Sequence, residues 1–551
     1  MRFICFLEAS EKYNRNGDTT RVLLEVPTTT NTQEDAMDTF ITQYEKQIIG
    51  HLTGFDRLVL RGTLRALAVN SGMMSYLWNT GVLLKDCGKL FLDKSKQLKE
   101  ASCARAHQQD RPVIYLPSPK TNKEQEALKI VERDGVRNGL ICILTAVEPC
   151  QTYEIYRNRQ QKKLELQPRI RKCLFLYHYW IDEIFGFMNA RIQSWFPFSI
   201  QICLNGREWL GRQMDRVGLR YQRRDNCFPW IDQIDKAQKL MDQQLLTNWP
   251  CTLDEIALRL NPEHDAMLAP FREPYYWSTH QSEWATDIMF KSAESLARIY
   301  PTLVRGGISV FGSQDVMRFL GKKPHPNFQG EVVSHYGHRT EGIRLKHKLK
   351  ANSVKIYDKE GSILRIETTV NSPRDFKVYR PKQGDPQGPC SWQRLRTGVA
   401  DLHRRAQISQ ASNQRYLDAL ASIEVDRLLG EVVESVCRPV GWKSQRVRSL
   451  RPWSKEDTTL LTIISRGEFN INGFRNRDIR QRIFPGNHDA HTKRRQSAHV
   501  SYRIRMLRAH GIIRKVPRTF RYVLTDKGRL IVSAIIQTQH IPITRISALA
   551  A

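Results

Sequence analysis

The sequence predicts a multidomain chain of the α/β (α+β) class: an N-terminal body built on a mixed sheet, then a small, helix-rich and strongly basic carboxyl domain. Three observations lead there. At 551 residues, with 40% apolar and 9% aromatic content, the chain carries enough core-forming material for three or four separately packed units. Arg111 to Leu116, Asn122 to Arg133 and Gly139 to Val147 follow one another as strand, helix and strand patterns, the order of a βαβ unit. Near the carboxyl end the apolar period changes from 3.6 to 2 within one short stretch, as it does where a helix runs into a hairpin.

Composition narrows the function classes. The formal charge is +30, far beyond what solubility requires, so a polyanionic partner is expected. The eleven cysteines occur without any C-x-x-C pair, which argues against a zinc ribbon and for a reduced, cytoplasmic setting. No run of 18 apolar residues exists and Phe3 to Leu7 is too short for a signal-peptide core, so neither a membrane span nor secretion is expected. G-x-x-x-x-G-K-[ST] and G-x-G-x-x-G are both absent, which leaves nucleotide binding unsupported.

In chain order, residues 1 to 37 read as a loose extension rich in Asn, Thr and Asp, with Met37 an alternative start. Tyr44 to His51 looks helical, and Phe55 to Thr63 looks like a strand entering a helix near Leu64. Asp56, near that strand's start, is either a plain turn or edge aspartate or a holder of a metal or a catalytic water. A meander follows: Tyr153 to Arg157, Cys173 to Trp180, Phe187 to Phe196 and Phe198 to Leu204, after which Asn205 caps a helix ending at Gly218. Tyr177, Tyr179, Trp180, Phe187, Trp195, Phe196 and Phe198 lie among Arg191, Arg207 and Arg212. Such rings are either core or a stacking platform for an unpaired nucleic-acid strand, which would make RNA a partner too.

Asp235 to Leu246, Leu253 to Leu260 and Trp284 to Tyr300 read as amphipathic helices, and Ser313 to Leu320 as a capped helix closed by Gly321. Boundaries are expected between a body of 38–300, a basic α+β domain of 301–382, a helical connector of 390–437 and a final domain of 452–540. Gln383 to Pro389 is the Pro/Gly-rich break. Trp392 to Ile423 reads as helical, and no internal repeat is detected.

Residues 353–370, SVKIYDKEGSILRIETTV, form the clearest hairpin. With Lys359, Glu360 and Gly361 as a three-residue loop, Asp358 faces Ser362 and Lys355 faces Arg365. Val354, Ile356, Leu364 and Ile366 then turn to the core, while Lys355, Tyr357, Arg365 and Glu367 share the other face. A carboxylate, two cations and a phenol on one face suit a phosphodiester or a divalent metal. The stretch resembles the core hairpin of rolling-circle replication initiators of plasmids and filamentous-type phages, and Tyr336-Gly337-His338-Arg339 is similar to the Tyr-x-x-Arg neighbourhood upstream of it. That resemblance implies metal-dependent strand nicking through Tyr336 or Tyr357, assisted by Lys355 and Arg365. Glu367 would then be a metal ligand, with His335, His338 or His347 as its partner, and Mg or Mn the cofactor. The family's His-x-His pair is absent.

Between Gly441 and Leu530 stand 22 Lys and Arg against 6 Asp and Glu, an excess of 16. Ser454 to Asp457 has capping-box spacing before a helix through Ile464, and Asn476 to Phe484 reads as a second helix. In Arg494 to Gly528, Val500, Ile504 and Leu507 form an apolar stripe stopped by Gly511. Ile512 to Val516 and Phe520 to Leu524 read as two strands joined through Pro517, Arg518 and Thr519, before a closing helix from Asp526. This order resembles the winged-helix DNA-binding domains of bacterial transcription regulators. By that likeness Arg494, Arg495, Ser501, Tyr502 and Arg505 on the helix, with Arg514, Lys515, Arg518 and Arg521 on the wing, contact duplex DNA. A DNA-binding protein of replication or mobilisation of a plasmid, phage or transposable element is thus expected, its α/β body contacting a strand. A non-enzymatic transcriptional regulator and an RNA-binding protein are the alternatives.

Overall fold

The computed structural model describes residues 34–539 apart from 270–272, 325–327, 329, 340–341, 383, 386, 424–428, 467–468, 470–472, 487 and 518. Of the expected extension, residues 1–33 lie outside the described residues. Helix Glu34–Gln43 begins inside it and buries Phe40 and, just beyond its end, Tyr44.

The body is organised on one 11-stranded sheet. In chain order its strands are β1 (Ile48–Thr63), β2 (Val113–Tyr115), β3 (Gly139–Asn158), β4 (Lys163–Asp182), β5 (Gly186–Gln193) and β6 (Ile200–Asn205). A small separate hairpin, β7 (Tyr221–Arg224) and β8 (Cys227–Ile231), precedes β9 (Tyr276–Phe290), β10 (Val332–Arg339), β11 (Gly342–Leu349), β12 (Asn352–Lys359) and β13 (Ile363–Val370). The spatial order is β10-β11-β12-β13-β9-β1-β6-β5-β4-β3-β2. Neighbours are antiparallel except β2 and β3, the parallel pair joined by helix Lys123–Asp134. The βαβ unit read from the sequence is therefore present.

Two segments repeat one topology. β1 leads through helices Asn70–Asn79 and Cys87–Gln108 to the meander β3 to β6, whose last strand returns antiparallel beside β1. β9 leads through helices Ala293–Ser309 and Ser313–Phe319 to the meander β10 to β13, whose last strand returns antiparallel beside β9. The antiparallel β1–β9 pair joins the halves, as a two-fold axis normal to the sheet would relate them. The βαβ insertion belongs to the first half alone.

Several expectations are corrected. Strands β1 to β6 and β9, before residue 300, and β10 to β13, after it, belong to one sheet, so 38–300 and 301–382 share that sheet rather than forming separate domains. Trp284 to Phe290 is the end of β9, and the helix starts only at Ala293, where Ser292 accepts from the Ser295 amide. A central strand buried on both faces is nearly continuous in apolar residues, and periodicity cannot separate it from a buried helix. Ile48 to His51 are likewise strand and open β1. Ser391–Arg394 pairs with Lys377–Arg380 as strand, and helix Leu402–Ala421 lies on the sheet rather than linking domains. There Asn413 accepts from Thr368 Oγ1 at 2.7 Å and donates to the Trp284 carbonyl at 3.1 Å.

One face of the sheet is covered by these helices, with Leu345, Ile356 and Ile366 against Leu303, Phe319 and Tyr416. The opposite face has two covers. Helix Lys123–Asp134 packs Ala127 and Ile130 toward Leu144 and Tyr177. Helices Gly206–Arg216 and Ile234–Gln243 press on β1, where glycines permit the approach: a Cβ on Gly206 would lie 1.7 Å from the Phe55 carbonyl oxygen. Between the covers the face is polar, and Arg57 and Arg61 reach solvent.

The carboxyl domain has its own core, in which Leu460, Ile479, Val500, Ile504, Leu507 and Ile531 meet. Helices Lys455–Ile464, Asn476–Ile483 and Ala490–Ala509 precede the hairpin Ile513–Lys515 and Tyr522–Leu524, and helix Asp526–Gln539 follows. Ser454 caps the first helix by accepting from the Asp457 amide, and Gly511 ends the third at φ 70°. Phe474 bridges to Tyr522 beside the hairpin. Arg529 reaches Asp315 at 3.5 Å and Ser533 bonds the Ser309 carbonyl at 3.2 Å, tying this domain to the body.

Candidate functional site

The centre of the polar face begins with a bulge. Phe55 pairs with Trp284 and Arg57 with Glu283, which leaves Asp56 unmatched in β1. An extra residue in one strand re-aims its side chain, and Asp56 turns to the face that carries Glu283. β13 pairs Glu367 with Ala285, two residues along β9 from Glu283, so Glu367 shares that face as well. Carboxylate oxygens of Asp56, Glu283 and Glu367 all lie within 4.8 Å of one another. Asp56 is 6% and Glu367 1% exposed, while Glu283 is half-buried and opens the group to solvent.

The hairpin supplies the cations, in a register different from the expected one. Lys359 pairs with Ile363, so the loop is Glu360, Gly361 and Ser362, with Glu360 and Gly361 both left-handed at φ 54° and 75°. Every pairing moves by two residues, which leaves the faces unchanged. Lys355 therefore lies opposite Glu367, Nζ to Oε1 2.6 Å, and Tyr357 lies opposite Arg365. The Tyr357 hydroxyl donates to Glu367 Oε2 at 2.8 Å. Arg365 donates to Asp287 at 2.7 Å, to Asp56 at 3.1 Å and to the Asn226 carbonyl at 2.7 Å; Arg207 reaches Asp287 at 3.0 Å from beneath. Asn226 of the β7–β8 turn donates to Asp56 at 2.7 Å.

Burial dominates the electrostatics. It pushes the Glu367 carboxyl up to about 7, with Lys355 opposing and Glu283 and Asp56 reinforcing. It also drives the Tyr357 phenol well above its ordinary value, with Glu367 adding to the shift, so that hydroxyl keeps its proton near neutrality. For Lys355 burial works against the ammonium, but Glu367 and Glu283 outweigh it and hold the pKa up. On β11, burial and then the neighbouring Lys355 and Arg344 lower the Lys346 pKa, a sign of crowded cations beside the carboxylates.

Lys355, Tyr357, Arg365 and Glu367 thus come together as expected. Tyr336 and His347 do not. Tyr336 pairs with Leu345, on the helix-covered face, and is half exposed at the sheet edge. His347 is fully buried between Ser334 (2.8 Å) and the Tyr416 hydroxyl (3.1 Å), and burial lowers its pKa to about 4. With the sheet between them, His347 and Glu367 cannot share a metal. The carboxylates grouped with Glu367 are Asp56, visible in the sequence as an acidic residue interrupting an apolar strand, and Glu283, which no local pattern marks.

The meander offers no stacking platform: Tyr177, Tyr179, Trp180, Phe196 and Phe198 are all buried, and Phe187 and Trp195 half-buried. Both faces of the sheet are covered where these rings lie, so the core alternative holds for them.

In the carboxyl domain the residues expected to meet DNA point outward. Arg494, Arg495, Ser501 and Tyr502 are exposed on helix Ala490–Ala509, opposite the buried Val500, Ile504 and Leu507. Arg505 is half-buried, lies over the Tyr502 ring and donates to Gln445 at 2.9 Å. Arg514 and Lys515 are exposed on the hairpin, and Arg521 is half-buried against the Gly473 carbonyl. Arg518 lies outside the described residues. No helix among the described residues is long and apolar enough to cross a membrane. No family model, curated protein or solved structure matches the chain.

Proposed function

We propose that the chain is a DNA-binding protein whose carboxyl domain grips duplex DNA as a winged helix does. The observation that carries this reading is the one-sided helix Ala490–Ala509, with one stripe in the core and Arg494, Arg495, Ser501 and Tyr502 outside, beside the exposed Arg514 and Lys515. Cations gathered on a helix and an adjoining hairpin suit a groove and its flanking phosphates. Fluorescence anisotropy of labelled duplex, single-stranded DNA and RNA at matched salt tests it. Duplex binding should exceed the other two and fall for Arg494→Ala/Arg495→Ala. Tighter RNA binding, indifferent to Arg505→Ala, would favour the RNA alternative.

A second activity is favoured by the convergence of Asp56, Glu283 and Glu367. Three carboxylates from adjacent strands, two of them buried, form the all-oxygen donor set that a hard divalent cation such as Mg²⁺ or Mn²⁺ takes. A cation there would polarise a phosphoryl oxygen. Lys355 and Lys346 would orient a phosphodiester, Arg365 fixes Asp56, and Tyr357 holds Glu367 by its hydroxyl proton. Because that phenol is buried and protonated, the geometry suits phosphodiester cleavage by an external nucleophile better than attack by tyrosine. Supercoiled plasmid with the full chain and Mn²⁺ tests this: nicking without a covalent protein adduct, lost in Asp56→Asn and Glu367→Gln, is expected. Unchanged plasmid removes the enzymatic reading and leaves the binding one. A duplex-gripping domain and such a centre in one chain would serve replication or mobilisation of a genetic element.

A further inference from the structure

Strands β3 and β4 are far longer than the sheet needs. β2 pairs with β3 no further along it than Thr145, and β5 pairs with β4 only from Phe175 onward, yet β3 and β4 stay paired to each other from Glu148↔Cys173 out to Asn158↔Lys163. At about 3.3 Å per residue, the part beyond Thr152 is a two-stranded ribbon about 20 Å long. Its inner face is anchored: Tyr153 is buried with its hydroxyl on the Leu67 carbonyl at 2.8 Å, and Leu166 is buried beside it.

Both sides of the ribbon and its tip are basic: Arg169 and Arg171 share the side of Glu154, while Arg157 and Lys172 share the side of Tyr153 and Leu166 but are themselves exposed. Arg157, Arg159, Lys162, Lys163, Arg169, Arg171 and Lys172 are all exposed. Glu154 pairs with Arg169 and Arg171, and Glu165 with Lys163 at 3.2 Å. Arg157, Arg159, Lys162 and Lys172 have no acidic partner among the described residues. Such a ribbon is otherwise poorly motivated, because unpaired cations on a narrow arm repel one another and stabilise nothing nearby. Two-stranded ribbons fit the DNA major groove, and unpartnered Lys and Arg are what phosphates recruit.

We propose that the β3–β4 ribbon is a second duplex-DNA contact, engaging phosphates through Arg157, Arg159, Lys162 and Lys172 at a distance from the carboxyl domain. This rests on the reading of the chain as a duplex-binding protein, but not on which surface of the carboxyl domain binds.

The test uses the full chain, a short duplex of about one helical turn and a long one of several turns. Binding is measured against salt concentration for wild type, for Arg157→Ala/Arg159→Ala/Lys162→Ala/Lys172→Ala, and for Arg494→Ala/Arg495→Ala. All four ribbon positions are exposed, so folding is spared, and Arg157→Lys/Arg159→Lys should bind the long duplex like wild type. The four-alanine variant should keep the short-duplex affinity but bind the long duplex more weakly, its salt slope shallower by about 0.9 for each phosphate it no longer neutralises. Wild-type affinity and slope on both duplexes would overturn the ribbon contact. If instead the Arg494/Arg495 variant binds as wild type while the ribbon variant weakens, the carboxyl-domain reading fails and the ribbon stands. A loss seen on anionic vesicles but on no duplex would also overturn the proposal.

Discussion

Arg365→Gln probes how the carboxylate centre is held together. The guanidinium is fully buried and bonds Asp287, Asp56 and the Asn226 carbonyl at once. The shorter amide of Gln reaches at most one of these. Asp287, 2% exposed, would keep Arg207 at 3.0 Å, and Asp56 would keep Asn226 at 2.7 Å. Removing one partner of a buried pair costs about 3–5 kcal/mol, because the other charge is left uncompensated. The surviving Arg207 places this case near the lower end, about 3 kcal/mol, or roughly two powers of ten in the folding equilibrium. The sign with pH follows from Asp287. Burial alone would raise its pKa, but Arg365 and Arg207 together hold it below the ordinary carboxylate range. Stability from a depressed carboxylate is present above its unfolded pKa and lost as pH falls through its folded pKa. Without Arg365 the folded value rises, so the variant's deficit should be greatest at neutral pH and narrow on acidification. Urea unfolding followed by tryptophan fluorescence, at neutral and mildly acid pH, measures both. A deficit below about 1 kcal/mol, the size of an exposed ion pair, or one that does not change with pH, would refute the reasoning.

Mn²⁺ should raise the wild-type melting temperature and leave Glu367→Gln nearly unmoved. Since burial places Glu367 at about 7, protons compete with the ion below that pH, so calorimetric affinity should weaken as pH falls through neutrality and EDTA should reverse the thermal shift. Tyr357→Phe removes one hydrogen bond to Glu367 and should cost about 1 kcal/mol in chemical denaturation while nicking persists; Tyr336→Phe, on the far face, should change neither. Gly206→Ala drives a methyl into the Phe55 carbonyl and should lower stability by about 1–3 kcal/mol or more, whereas Gly441→Ala, with open space around it, should melt like wild type.

The elements legible in the sequence are those whose signals are local. Asn205 caps its helix by accepting from the Arg207 and Glu208 amides, Gly511 ends another, and Val500, Ile504 and Leu507 line a core face, all as their spacing implies. The 353–370 hairpin has the expected faces although its loop sits one residue further on, because the period of two survives a shift of whole pairs. What stays hidden depends on partners distant in sequence. β9 is covered on both faces, so its apolar run shows no alternation and imitates a buried helix. Asp56 joins the centre only through a bulge, and Glu283 only through pairing with a strand more than two hundred residues earlier, as the Arg57↔Glu283 register shows. The repeated topology leaves no trace in the residues either, because each half fills its strands for different neighbours: Glu367 on β13 meets carboxylates, while Cys203 on β6 pairs with Val59.

The most direct measurement is the salt dependence of duplex binding by the full chain, compared with a variant in which Arg494, Arg495, Arg514 and Lys515 are all alanine. These four side chains are exposed, so the comparison isolates their charge. Expected is weaker binding with the slope of log affinity against log salt shallower by up to about 3.6, at about 0.9 for each phosphate the variant leaves unneutralised. Equal affinity and equal slope for the two proteins would contradict a carboxyl domain that grips DNA.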